Sequence, residues 1–241
     1  MTVWRDWRAR REWLPLVVMA LAAAGVWIFI AVADEVMEGE THHLDELLIL
    51  ALRNPADPGD PLGPRWVEEM ARDVTALGSM TVLTFLTVAV SGFLALAGRG
   101  RTALLLLASV GGGVVLSTLL KHGFARPRPD LVPHGAEVYT ASFPSGHSML
   151  SAVTYLTLGA LLARVQARRR LKAYLLALSV FLMVAVGVSR VYLGVHWPTD
   201  VLAGWAIGAA WAQTVWLVAW WMQRRGRVEP APPPEDNGES P

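Results

Sequence analysis

Apolar residues run through this chain in six blocks, and the polar residues gather almost wholly in the connections between them. A hydrocarbon core of about 30 Å requires about 20 apolar residues per helix. Blocks approaching or exceeding that length lie near residues 14–33, 74–97, 102–120, 148–163, 173–188 and 201–221. The second, third and fourth carry Ser, Thr and Gly among the aliphatics, the composition of helices that pack closely in lipid. The run Gly111-Gly112-Gly113 in the third marks either such a contact or a kink. The pattern predicts an all-α fold, a six-transmembrane-helix bundle.

Composition supports that reading, since 54% of the 241 residues are hydrophobic and eleven are tryptophan, too apolar for a water-soluble domain of this size. A net charge of +1 offers no bulk attraction for nucleic acid. The absence of cysteine excludes disulfides, thiolate metal ligands and a cysteine nucleophile.

Where the charges lie says more than their sum. Arg5, Arg8, Arg10 and Arg11 precede the first block, Arg99 and Arg101 join the second to the third, Arg164, Arg168, Arg169, Arg170 and Lys172 follow the fourth, and Arg224, Arg225 and Arg227 follow the sixth. By the positive-inside rule these connections and both termini are cytoplasmic, in a multi-pass cell-membrane protein. Ala31-Val32-Ala33 resembles a signal-peptidase site, but the apolar stretch before it exceeds a usual signal core, which favours a retained helix.

The outer connection 34–73 contains two amphipathic pieces around the Pro/Gly/Asp-rich Asn54 to Pro64. Leu44, Leu47, Leu48 and Ala51 share one helical face, and Trp66, Met70 and Val74 another, so both pieces are expected to lie flat at the outer interface, as a cap or gate beside the site or as a spacer that shields helix ends. His42 and His43 lack the neighbours to complete a metal site. The expected organisation is a basic cytoplasmic N-terminus over 1–13, a membrane domain over 14–221 and a disordered cytoplasmic tail over 222–241.

Against the outward bias, the outer connections carry Lys121, Arg126, Arg128 and Arg190, cations best explained by an anion that they bind. They belong to three stretches: Lys121-His-Gly-Phe-Ala-Arg-Pro-Arg128-Pro129, Pro144-Ser145-Gly146-His147, and Ser189-Arg190-Val-Tyr-Leu-Gly-Val-His196-Trp-Pro-Thr-Asp200. In order and spacing these resemble the signature of the type 2 phosphatidic acid phosphatase superfamily, with every defining position present. The resemblance in motifs spans Lys121 to Asp200, and elsewhere it is one of hydropathy.

Phosphate-ester hydrolysis needs an in-line nucleophile, cations over the phosphoryl oxygens and a proton for the leaving alcohol. Asp200 lies one helical turn beyond His196 and is placed to bond one ring nitrogen, leaving the other to attack phosphorus. Pro198 suits the first turn of a helix, so this pair is expected at the outer start of the sixth span. The resemblance implies a phosphohistidine on His196 and makes His147 the general acid, a role that its ordinary pKa of about 6.5 suits. Pro144, Gly146 and the helix N-terminus behind them suit anion binding, so Ser145 and the Gly146 amide are expected to contact phosphate. Lys121, Arg128 and Arg190 complete the cradle. Arg126 is not a position of the signature and is expected to assist electrostatically or to meet a headgroup, and Ser189 to serve as a hydrogen-bond partner.

The expected function is a metal-independent, cofactor-free phosphatase for lipid monophosphates or polyprenyl diphosphates, with its site at the outer ends of the helices. A lipid phosphotransferase using the same site stays open, as does a non-catalytic phospholipid-binding or transport protein. The likeness of the family's site to vanadium haloperoxidases is set aside because those proteins are soluble. Substrate chain and oligomeric state are not legible in the sequence.

Overall fold

A computed structural model describes residues 3–131 and 141–225, with side chains from Trp13 onward. The elements are α1 (Val3–Glu38), α2 (His42–Leu50), β1 (Arg53–Asn54), β2 (Asp57–Pro61), α3 (Arg65–Ala76), α4 (Met80–Leu96), α5 (Gly100–Gly123), α6 (Gly146–Val165), α7 (Arg169–Tyr192) and α8 (Pro198–Arg224). Helices α1, α5, α6, α7 and α8 are each long and apolar enough to cross a bilayer, and α3 with α4, bent by 48° at their junction, pass as a sixth span.

The single helix expected over 74–97 is therefore corrected to a bent pair. Its break falls at Leu77-Gly78-Ser79, where the Ser79 hydroxyl accepts the Val82 N–H and restarts the helix as an N-cap. A polar cap inside an apolar run interrupts the helix without interrupting the hydropathy. The first span is also longer than 14–33: the basic N-terminal segment is helical and continuous with it, and α1 stays helical through Ala31-Val32-Ala33. The expectation of a disordered tail falls mainly on 226–241, outside the described residues, while 222–224 continue α8. The antiparallel hairpin of β1 and β2, pairing Arg53 with Pro61 and Asn54 with Asp57, is the one departure from an all-helical fold among the described residues.

Helix α6 sits at the centre, packed against α7 on one side and α8 on the other, while α1 covers α8. Glycine decides how closely these helices approach. A Cβ on Gly204 would lie 2.8 Å from the Ser145 carbonyl oxygen, and one on Gly208 2.5 Å from that of Met149, so α8 lies against the backbone of α6 at its N-terminal half. The triple glycine resolves the same way: α5 runs unbroken, and a Cβ on Gly112 would meet the Trp211 ring at 2.4 Å. Intramembrane hydrogen bonds add to the packing, with Ser109 Oγ 2.9 Å from Thr157 Oγ1 and the Trp211 indole donating to the Ser109 carbonyl at 2.8 Å. Phe85, Phe93, Leu104, Leu119 and Phe181 are exposed, as expected of surface that faces lipid rather than water.

The 34–73 connection, expected as a cap or gate or as a spacer that shields helix ends, is anchored through buried side chains of its own. Leu44, Leu47 and Leu48 of α2 face outward as expected, but Asp45 and Ile49 on its other face are wholly buried. Arg53, also buried, donates to the Tyr192 carbonyl at the end of α7, and the Tyr192 hydroxyl returns a bond to the Leu62 carbonyl. The connection is thus tied to the ends of α7 and α8, where the three motifs converge.

Candidate active site

The histidine of the third motif sits between two helices because of one glycine. Gly194 takes φ +69°, a left-handed conformation that side chains with a Cβ rarely adopt, and its N–H bonds to the Val191 carbonyl while the Val195 N–H bonds to that of Arg190. This ends α7 and turns the chain so that His196 points back into the bundle, 1% exposed. Helix α8 then starts at Pro198, with Asp200 in its first turn, as expected.

Asp200 is saturated with donors. Its Oδ2 accepts from His196 Nδ1 at 3.2 Å, from the Trp197 backbone N–H at 3.0 Å and from the Ser142 hydroxyl, and its Oδ1 accepts from Arg126 Nη1 at 2.8 Å. The other ring nitrogen, His196 Nε2, lies 3.1 Å from Arg128 Nη1. A guanidinium has no acceptor, so Nε2 must present its lone pair there and the ring proton resides on Nδ1, toward Asp200. Burial is the main reason the pKa of His196 falls to about 4, outweighing the Asp200 bond that raises it, and Arg128 and Arg190 push it the same way as burial. At neutral pH the ring is uncharged, with its lone pair on the side of the cations.

Those cations come from three elements. Lys121, at the end of α5, donates to the Ala141 carbonyl at 2.8 Å and passes beside Gly146, where a Cβ would stand 3.4 Å from its Cε. Arg128 also donates to the Val195 carbonyl at 2.8 Å. Arg190 is nearly buried, donates from Nη1 to Thr75 Oγ1 of α3 at 3.2 Å, and has a buried Nε with no hydrogen-bond partner among the described residues. A buried guanidinium N–H without an acceptor is costly in a folded protein unless an anion meets it.

His147 stands at the N-terminus of α6 within electrostatic reach of Arg190, His196, Lys121 and Arg128, so the first, second and third motifs do converge. It also packs beside the bend between α3 and α4, with a Cβ on Gly78 falling 3.4 Å from its Cδ2. Ser145 is wholly buried and caps α6, accepting the Ser148 N–H at 3.4 Å and the Ser148 hydroxyl at 3.0 Å, while its own N–H donates to the Asp200 carbonyl at 3.0 Å. It therefore joins the start of α6 to the start of α8 and keeps only its hydroxyl proton for a ligand. The Gly146 amide belongs to the first turn of α6, where backbone N–H groups lack helical acceptors and attract anions. Ser189 bonds within its own helix, to the Val186 carbonyl at 2.6 Å.

Four residues outside the expected cradle complete the site, and of these only Arg126 was expected to take part, by assisting electrostatically or by meeting a headgroup. Arg126 is not turned toward a headgroup: it bridges Asp200 and the wholly buried Asp45 of α2, whose Oδ2 lies 2.7 Å from Nη2. Asp45 also accepts the Thr199 N–H at 3.0 Å and the Thr199 hydroxyl at 2.6 Å, and the Arg126 guanidinium lies over the Trp197 ring at 5.4 Å. The network fixes the carboxylate that orients His196. The signal for Asp45 was its place one helical turn before Ile49, on the inward face. Thr75 had no local signal, since it meets Arg190 across 115 residues, and Ser142, although two residues before Pro144, reaches Asp200 only across 58. Ser142 is held by Phe143, which stacks on Phe29 of α1 at 5.8 Å and meets Phe124 edge-on at 5.0 Å.

Comparison with known proteins agrees with this arrangement. Residues 102–226 match the PAP2 superfamily. The chain is 35% identical over 146 residues to phosphatidylglycerophosphatase B of Bacillus subtilis, covering 59% of this chain and 70% of that protein. It is 35% identical over 95 residues to an undecaprenyl-diphosphatase of Sulfolobus acidocaldarius, covering 39% and 40% of the two. The crystal structure of a transmembrane PAP2-type phosphatidylglycerolphosphate phosphatase from Bacillus subtilis superposes with a TM-score of 0.74 at 28% identity, over 84% of this chain and 98% of that one. On these matches, and with the three motifs gathered around one imidazole, the chain belongs to the PAP2 superfamily.

Proposed function

We propose that this PAP2-superfamily enzyme removes a terminal phosphate from a lipid monoester or a polyprenyl or lipid diphosphate at the outer membrane face, through a phosphohistidine on His196. The observation that carries the reading is the orientation of the buried ring: Nδ1 is held by Asp200, and Nε2 turns its lone pair to Arg128 and the cation cluster. In the first step Nε2 attacks phosphorus, the bond from phosphorus to the leaving oxygen breaks, and His147 supplies that oxygen with a proton. Arg128 exchanges its contact with Nε2 for a phosphoryl oxygen, while Lys121, Arg190 and the amides at the start of α6 take the others. In the second step His147 removes a proton from water, the water oxygen attacks phosphorus, and the bond from phosphorus to Nε2 breaks to release inorganic phosphate.

Phosphatidylglycerol phosphate and undecaprenyl diphosphate, the substrates named for the relatives, share only a phosphate on a membrane lipid, which is what a site at helix ends can recognise. Catalytic charge neutralisation falls to the protein's own cations, and among the described residues no three His, Asp or Glu side chains gather as a metal site. The test is phosphate release by the detergent-purified protein across lipid monophosphates and diphosphates, with and without EDTA. The reading expects release that persists in EDTA, that falls by about 10⁴-fold or more in His196→Ala, and that falls by about 10²- to 10⁴-fold in His147→Ala. Activity abolished by EDTA and restored by Mg²⁺ would count against it, as would transfer of the phosphoryl group to a second lipid in place of release.

A further inference from the structure

At the end of the bundle opposite His196, α4 and α6 leave an apolar groove of about 300 Å³. Its walls include Leu86, Val90 and Phe93 of α4 and Leu158, Leu161 and Leu162 of α6, and Arg99 and Arg164 close its polar end. From Leu86 to Leu96 the helix rises about 15 Å, close to half of a 30 Å hydrocarbon core. The groove therefore has the depth of one leaflet, with its two arginines where that leaflet's headgroups lie.

Both arginines are partly buried, and neither has an ion pair among the described residues. The helices that line the groove cannot supply one, because α4, α5 and α6 contain no Asp or Glu and the one acid of α8, Asp200, lies at the far end beside His196. Cations partly withdrawn from water require an anion. Two guanidiniums suit the oxygens of a phosphodiester, and the neighbouring Arg168 and Arg170 add to the attraction for an anionic surface.

We infer that this groove is a binding site for an anionic phospholipid of the leaflet opposite the active site, with one acyl chain between α4 and α6 and the phosphodiester held by Arg99 and Arg164. The twenty residues of α6 rise about 30 Å between the two ends, so a lipid held here lies far beyond reach of His196 and is not a substrate.

The test is lipid retention in native mass spectrometry, together with melting temperature, for the full chain in neutral detergent with phosphatidylglycerol or phosphatidylcholine of the same chains. Phosphatidylglycerol is expected to be retained as a single adduct and to raise the melting temperature more than phosphatidylcholine. Arg99→Gln/Arg164→Gln is expected to weaken its binding about tenfold or more, whereas Arg168→Gln/Arg170→Gln, exposed at the same end, leaves most of it. Leu162→Trp, which fills the groove, is expected to reduce retention of both lipids. Equal retention of the two lipids would overturn the assignment, as would equal losses in the two double variants. So would a phosphatidylglycerol adduct that forms only after residues 226–241 are deleted, since the chain's own acidic tail would then be the occupant. None of these readouts depends on phosphate release, so failure here leaves the catalytic reading standing.

Discussion

At His196 two forces oppose each other, and their balance sets the chemistry. A neighbouring carboxylate normally favours imidazolium, but complete burial costs the charged ring more, and its pKa falls to about 4. With His196 in its proposed role as nucleophile, the acid limb of kcat/KM is expected near pH 4 rather than near 6.5. The same shift bears on stability. An unfolded chain protonates this residue near pH 6.5, so its contribution is fully present above that value and is lost as pH falls toward about 4. Melting temperatures measured from pH 7 down to pH 4 in wild type and in His196→Gln check this, the variant being expected to show the shallower decline. Arg126 acts on the same ring at one remove. Removing a charge-assisted hydrogen bond worth about 1.5–3 kcal/mol from Asp200 predicts a kcat lowered about 10- to 100-fold in Arg126→Met with KM little changed. Arg126→Lys should recover part of it. A purely structural role would instead reduce the yield of folded protein and leave the activity of the folded fraction intact.

At the scale of elements, the site depends on how closely the N-terminal halves of α6 and α8 approach. A side chain at Gly208 meets the Met149 carbonyl, so Gly208→Ala is expected to destabilise by about 1–3 kcal/mol and to lower activity by shifting Ser145 and His147 relative to Asp200. Among the described residues nothing lies within 4 Å of a Cβ on Gly111 of α5, and Gly111→Ala is expected to be neutral or to stabilise by up to about 1 kcal/mol. Thermal melting of the two variants in detergent separates packing from propensity. These elements were legible to different degrees. The long apolar runs and the three motifs announced the helices and most of the site, because hydropathy and local spacing carry both. The bend at Gly78-Ser79 was hidden inside an apolar run, although a serine just before Met80 was a cap signal. The partnership of Asp45 with Arg126 was hidden because it joins residues 81 apart in sequence, and no periodicity within α2 reveals what its inward face meets.

Over the whole molecule, charge and chemistry divide between the two ends of the bundle. The acidic 34–73 connection and the three motifs share one end, and the Arg-rich connections occupy the other, which the positive-inside rule assigns to the cytoplasm. Because the chain has no cysteine, single cysteines report topology cleanly. Asp57→Cys on the hairpin is expected to react with a membrane-impermeant maleimide in intact cells, and Arg168→Cys only after permeabilisation. The reverse pattern would place the site on the cytoplasmic face. Orientation decides which leaflet supplies the substrate, whereas the bond that forms at His196 decides whether the enzyme works as proposed. The most direct test of that bond is to trap the protein during turnover of a labelled substrate with a good leaving group and to locate the label by mass spectrometry. A base-stable, acid-labile phosphoryl group on Nε2 of His196, absent from His196→Ala, is the predicted result; a label on Ser142, Ser145 or Ser189, or full turnover by His196→Ala, would contradict it.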